Sequence, residues 1–331
     1  MRKGITRVKA PGDLTAMFPF IMKRRCDSQV YYKISLNAEP LLAKIDERQD
    51  VTFFQALILA LVKTMRDRPH LNRFVMGRRL YQREDIDVCF MTRGAASDES
   101  LETHAKIRVA PESKDGEIVE AMEHRIREAR EGGAKKADAT ISSLAKLPRF
   151  LLRALVSCLY WTDFHARFPK SLEEIDPLHC SVYVSNLGTM GIDAPYHHLY
   201  EWGTCSIVAA VGTITPKIVL DAENTPALRK TVEIKVSLDD RIAEGYYFAR
   251  ALETFKNYVE HPETLFPEPV KLPEEFEELE GPEQTGPDRK PVESGQPVKP
   301  TQPDPDEHQE QLMQNGELQS FHVEPPQFER F

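Results

Sequence analysis

The stretch Thr52 to Arg66 is apolar nearly all the way round a helix, with Ala56, Leu57, Leu59, Ala60, Leu61 and Val62 filling its middle. Such a helix has no face to give to water, so the rest of the chain must cover it. Asp50 and Thr52 both stand where a helix N-cap belongs. Val30 to Leu36, Asp85 to Thr92 and Thr103 to Ala110 carry the short β-branched and aromatic patterning of strands, and Asp115 to Glu131 reads as a charged amphipathic helix. Strands and helices therefore mix without the regular βαβ beat of a dinucleotide-binding domain. No Gly-x-Gly-x-x-Gly or Walker loop accompanies them.

The chain has 331 residues, of which 41% are hydrophobic, enough for one large core. From residue 267 on, Pro, Glu and Gln dominate and apolar periodicity stops, so burial there cannot offset the entropy of ordering. The expectation is one globular domain over 1–266 and a disordered tail over 267–331. A net charge of -9 argues against non-specific nucleic-acid binding, which needs a cationic surface. The cysteines, Cys26, Cys89, Cys158, Cys180 and Cys205, are odd in number and show no C-x-x-C spacing, which points away from a disulfide framework or a metal site. The N-terminus lacks the apolar run of a signal peptide, so a cytoplasmic location is expected. A helix over 144–164, with Arg149, Arg153, Tyr160 and Trp161, is too short and too charged to span a bilayer. Packing on the core, packing on a neighbouring subunit, and an interfacial membrane helix all stay open for it.

Two motifs carry chemistry. The first is the apolar strand Cys180 to Val184 running into Ser185-Asn186-Leu187-Gly188. The second is Val236-Ser237-Leu238-Asp239-Asp240-Arg241-Ile242-Ala243-Glu244-Gly245, which joins the strand Thr231 to Leu238 to a helix from Ala243 to Glu260. Between them Cys205 to Ile214 reads as a further central strand. Together with the Arg68-Pro69-His70-Leu71-Asn72 turn, these segments resemble the catalytic domain of the 2-oxoacid dehydrogenase acyltransferases, relatives of chloramphenicol acetyltransferase, over roughly Phe18 to Phe266. The signature of that family is His-x-x-x-Asp-Gly. Here Asp240 stands at the histidine and Glu244 at the aspartate, while Asp239, Arg241 and Gly245 match the dehydrogenase branch.

The resemblance implies an α/β fold, a chloramphenicol acetyltransferase-like two-layer sandwich with a large mixed sheet, in a homotrimer whose active sites lie between subunits. It also implies acyl-CoA or CoA as co-substrate, with no metal. In the related enzymes the histidine is the general base, and Ser185 matches the position whose hydroxyl supports the tetrahedral oxyanion. Aspartate starts near pKa 3.9 against about 6.5 for histidine, so Asp240 needs burial or neighbouring carboxylates to act as the base. His197 and His198 are the alternative bases, with His104 and His70 behind them. Glu244 matches a carboxylate that holds an arginine, for which Arg24 or Arg25 is the expected partner, and these arginines with Asn186 are weak candidates for contacting the cofactor. Nothing in the chain resembles a lipoyl or subunit-binding domain. Two readings stand side by side: a stand-alone CoA-dependent acyltransferase acting on a small acceptor, and a catalytically inactive trimer that senses acyl ligands or serves as a scaffold.

Overall fold

The computed structural model describes residues 4–10, 12–93, 102–130, 146–220 and 224–267. In chain order the first elements are β1 (Ile5–Arg7), α1 (Asp13–Ile21), β2 (Gln29–Asn37), α2 (Glu39–Arg48), α3 (Phe53–Asp67), β3 (Arg73–Met76) and β4 (Arg79–Arg83). Then come β5 (Ile86–Arg93), β6 (Glu102–Val109), α4 (Asp115–Arg130), α5 (Arg149–Phe164) and α6 (Lys170–Ile175). The last are β7 (Val182–Asn186), β8 (Ile207–Leu220), β9 (Pro226–Asp239), α7 (Gly245–Glu260) and α8 (Pro262–Leu265). The tail expected over 267–331 lies, from residue 268 on, outside the described residues.

A six-stranded mixed sheet runs in the order β2-β9-β8-β7-β5-β6, and a small sheet, β1-β4-β3, stands apart from it. Within the large sheet β7 is parallel to both β5 and β8, whereas β9 is antiparallel to β8 and to β2. Strand side chains alternate between the two faces. One face, with Phe90, Val184, Ala209, Val211, Ile234 and Val236, is packed by α3 and α7 into the main core. The other presents Cys89, Tyr183 and Val208 to Leu199 of the loop that crosses it. This is the α/β architecture with a large mixed sheet that the motifs imply.

The helix α3 is nearly all buried, as its sequence demands. Thr52, not Asp50, caps it: the Gln55 amide donates to the Thr52 hydroxyl at 3.3 Å and the Thr52 amide donates back to the Gln55 side chain at 2.7 Å. Asp50 is instead paired with Arg48 at 2.8 Å. In the Arg68–Asn72 turn, Asn72 is buried, donating to the Asp85 carbonyl at 3.0 Å and accepting from the Ser181 hydroxyl at 2.5 Å. It thereby ties the small sheet to the large one.

The helix α5 does not enter the core, for none of its side chains is buried. Its inner side rests on the domain through half-buried Leu152, Leu155 and Leu159. Its last turn is fixed more firmly. His179, with a fully buried side chain, stands 3.3 Å from Asp163 of α5 and 3.1 Å from Asp176, and its ring stacks on Phe168 at 4.4 Å. The Trp202 indole also donates to Asp176. Burial works against the imidazolium, but the two carboxylates outweigh it and hold His179 above its ordinary pKa. A histidine with a raised folded-state pKa gives stability that is complete below its unfolded pKa, near 6.5, and lost as pH rises through the folded value. The parent protein is therefore expected to lose melting temperature across that neutral window, and His179→Phe to lack the slope while exchanging its α5 amides faster. Equal slopes in parent and variant would refute this assignment.

Candidate functional site

The Ser-Asn-Leu-Gly turn closes β7. Ser185 pairs with Ala210 of β8 and lies on the sheet face opposite the main core, 8% exposed. Gly188 is required by packing, since a Cβ there would stand 2.6 Å from the Gly212 carbonyl oxygen, while the Leu187 amide donates to the Val211 carbonyl at 2.9 Å. The turn thus locks onto the irregularity that β8 makes between Val211 and Ile214. Beyond it opens a groove of about 1090 Å³ at the carboxyl ends of β5 and β7 and the bulge of β8, lined among others by Thr92, Asn186, Gly212 and Arg127. Crevices at the carboxyl ends of neighbouring parallel strands are where α/β sheets commonly bind ligands.

The second motif lies at the other end of the sheet. Asp239 is fully buried and takes two parallel hydrogen bonds from Arg241, Nε to Oδ1 at 2.8 Å and Nη2 to Oδ2 at 2.7 Å. The Ser28 hydroxyl adds a third at 2.9 Å, and Arg241 reaches on to the Met22 carbonyl at 3.0 Å. This knot welds the end of β9 to the chain just before β2. Asp240 follows at once, half-buried, its amide donating to the Ser28 carbonyl at 2.8 Å. Burial first, and the Asp239 charge second, push the Asp240 carboxyl above the usual carboxylate range. That is the direction a general base needs.

The expected pairing of Glu244 with Arg24 or Arg25 is not formed. Glu244 is the exposed N-cap of α7, makes no side-chain cap bond, and has no ion pair among the described residues. Arg24 is exposed and paired with Asp27 at 2.8 Å. Arg25 is buried and spends its guanidinium on the carbonyls of Tyr200, Glu201 and Gly203 at 2.6–3.1 Å. The reason is reach: Glu244 caps a helix that starts at the surface, whereas Arg25 sits under the loop from Tyr200 to Gly203. The arginine-holding carboxylate here is Asp239, and its partner is two residues away.

His197 and His198 stand in the loop that crosses the Ser185 face of the sheet. Their rings stack with centroids 4.7 Å apart, and Nδ1 of each lies 2.8 and 3.1 Å from a main-chain carbonyl. With Nδ1 donating to those carbonyls, Nε2 is the basic nitrogen in both. The Ser237 hydroxyl donates to the His197 carbonyl, which places the pair over β9. His104 meets the Tyr183 hydroxyl at 3.0 Å, and His70 stacks on Tyr247 at 4.4 Å. Ser185 and Asp240 are not brought together within one chain. Ser185 shares a row with Ala210 and Lys235, and Asp240 lies two strands across and five residues along from it, roughly 15–20 Å away. Sequence spacing gave no sign of this, because the antiparallel turn from β8 into β9 sends the two motifs to opposite ends of the sheet.

Residues 170–267 match the family model for the 2-oxoacid dehydrogenases acyltransferase catalytic domain. An 82-residue stretch is 33% identical to a dihydrolipoyllysine-residue acetyltransferase component of the chloroplastic pyruvate dehydrogenase complex of Arabidopsis thaliana, and covers 25% of this chain and 17% of that relative. A solved dihydrolipoamide acetyltransferase of Azotobacter vinelandii, studied for the catalytic roles of one serine, one histidine and one asparagine, aligns with TM-score 0.50 at 12% identity over 79% of this chain and all of its own. The cubic core of a pyruvate dehydrogenase multienzyme complex aligns with TM-score 0.50, also at 12% identity, over 79% of this chain and 94% of its own. In sequence over residues 170–267 and in fold over the described domain, the chain resembles the catalytic domain of the 2-oxoacid dehydrogenase acyltransferases.

Proposed function

We propose that the protein is a CoA-dependent acyltransferase that moves an acyl group from a thioester to a small acceptor, with a site built between copies of the chain in a homotrimer. The observation that carries this reading is the geometry of Ser185 and Asp240: the backbone of each is fixed by hydrogen bonds, and the two lie too far apart in one chain to act on one carbonyl. A second copy supplies the missing half, as expected of a relative of enzymes with intersubunit sites. The assemblies among the solved relatives support self-association. So does the outer half of the β8–β9 hairpin, where Ile218, Leu220 and Leu228 stand open to solvent.

In this reading Asp240 of one copy takes the proton from the acceptor as it attacks the thioester and Ser185 of another donates to the oxyanion; collapse of the adduct then breaks the C–S bond, and the departing CoA thiolate takes the proton back from Asp240. The base is worth about 10²–10⁴-fold and the oxyanion donor about 10²–10³-fold. Ser185→Ala is accordingly expected to lower turnover by roughly that second factor while leaving the melting temperature near the parent's. A stability loss that accounts for the lost activity would assign Ser185 to the scaffold.

Glu244, exposed and without an ion pair among the described residues, favours the other reading, an inactive trimer that binds CoA or acyl ligands as a sensor or scaffold. Calorimetric titration with CoA and acetyl-CoA comes first, since it needs no acceptor. Micromolar binding keeps the transferase and the sensor in play, and turnover in an acceptor screen then separates them. A well-folded trimer that binds neither overturns it in favour of the scaffold.

A further inference from the structure

One pole of the molecule combines two features that an acidic, water-facing protein has little reason to put together. The first is apolar. On α1, Leu14, Met17 and Ile21 repeat at i, i+3 and i+7 and are 64%, 55% and 62% exposed, with Phe20 beside them at 55%. On α5, Phe150, Trp161 and Phe164 fall on one outward side of the helix and are 72%, 53% and 46% exposed. Exposed apolar residues scattered singly are ordinary, but ordered stripes on two neighbouring helices mark an interaction surface.

The second feature is charge. A groove of about 1080 Å³ lies between these helices, reached by Phe20 from one and Phe164 from the other, and its rim carries Arg7, Lys9, Arg78 and Arg79. None of these four cations has a carboxylate partner among the described residues, and Asp13 is the one acid among the groove's lining residues. The Arg78 guanidinium lies over the Phe20 ring, 5.8 Å from its centroid. The two helices and the β3–β4 turn are held in one piece: Gly77, at φ +56°, lets that turn approach the Phe164 carbonyl so closely that a Cβ would stand 2.2 Å from it. Beyond the groove, α5 adds exposed Arg149 and Arg153, while its acid, Asp163, is engaged with His179.

We propose that this pole, made of α1, the β3–β4 turn and the outer side of α5, docks on an anionic lipid surface, with Leu14, Met17, Ile21, Phe150 and Trp161 entering the headgroup boundary and Arg7, Lys9, Arg78 and Arg79 meeting the phosphates. Charge complementarity selects this occupant. Two copies packed through the same patch would bring these cations onto one another, whereas an anionic bilayer satisfies both the apolar stripes and the unpaired charge. Docking is in the plane of the interface: α5 is 16 residues, and among the described residues no helix is long and apolar enough to cross a membrane. The docking proposal does not rest on the acyl-transfer reading, although Arg241, next to Asp240, also lines the groove.

Co-sedimentation of the full chain with vesicles of phosphatidylcholine alone, or mixed with phosphatidylglycerol, tests it. The protein is expected to pellet with the mixed vesicles, less so as salt rises, and the emission of exposed Trp161 to shift to the blue, a shift that Trp161→Phe removes. Arg78→Glu with Arg79→Glu, both at exposed positions, is expected to weaken the partition about tenfold or more, and Phe150→Ser with Trp161→Ser to do the same. The charge pair keeps the test decisive if the apolar pair folds poorly. No pelleting with phosphatidylglycerol, or pelleting untouched by the charge reversal, overturns the proposal. So does a change of oligomer size in light scattering on altering Phe150 and Trp161 with no vesicle binding, which would give the face to a second copy.

Discussion

Asp240→Asn is expected to lower acyl transfer by about 10²–10⁴-fold, the contribution of a positioned general base, with little change in CoA binding. Asparagine keeps the shape and the buried surroundings but cannot accept the proton. The pH dependence follows from the direction of the Asp240 shift. Burial and the neighbouring Asp239 raise its pKa, so the ionised base is lost, and the rate falls, as pH drops through that raised value. Asp240→His should move this acid limb up toward the ordinary imidazole range, near 6.5. Stability runs the other way. A carboxyl whose folded pKa is raised is best tolerated protonated, so its contribution is complete below the unfolded value near 3.8 and is lost as pH rises through the folded one. Asp240→Asn therefore melts above the parent at neutral pH, and the two converge in acid. An asparagine variant as active as the parent would dismiss Asp240 as the base and leave Nε2 of His197 or His198 to be tested by alanine exchange.

Asp239→Asn is expected to cost about 3–5 kcal/mol of stability, because it leaves the buried Arg241 guanidinium without its counter-charge. For a domain of this size that corresponds to roughly a 10 °C fall in melting temperature, measurable by calorimetry. The same variant removes one of the two causes of the Asp240 shift, so any residual activity should keep its acid limb at lower pH than the parent. A loss under about 1 kcal/mol would mean that the pair, though buried, is not what fixes the end of β9.

Much of the fold was legible in the sequence because local patterns and long-range packing agree there. The helix α3 runs from its Thr52 cap as its all-round apolar character requires, and β2, β5, β6 and β7 lie within a residue or two of their β-branched runs. The strands β8 and β9 extend well past their apolar cores, to Leu220 and back to Pro226, because each supplies the other's backbone partners even where side chains face water. Neither α1 nor α2 is legible in the sequence: α1 carries Pro19 within it and α2 opens on Glu39-Pro40, so both lack a long uninterrupted period.

For the candidate site the division is sharper. The sequence by itself determined which chemistry was at stake: Ser185 in a Ser-Asn-Leu-Gly turn, and Asp240 where a histidine was expected, each attached to a recognisable strand. Only the tertiary structure decided where those residues stand and what surrounds them. It gave the arginine-holding role to Asp239 and Arg241 and left Glu244 in water, since a carboxylate's partner is set by what is buried beside it and not by its place in a motif. It also put Ser185 and Asp240 at opposite ends of one sheet, because an antiparallel hairpin returns the chain to where it started. That reversal is invisible along the sequence, and it is why the proposed site needs a second copy of the chain to bring the two residues together.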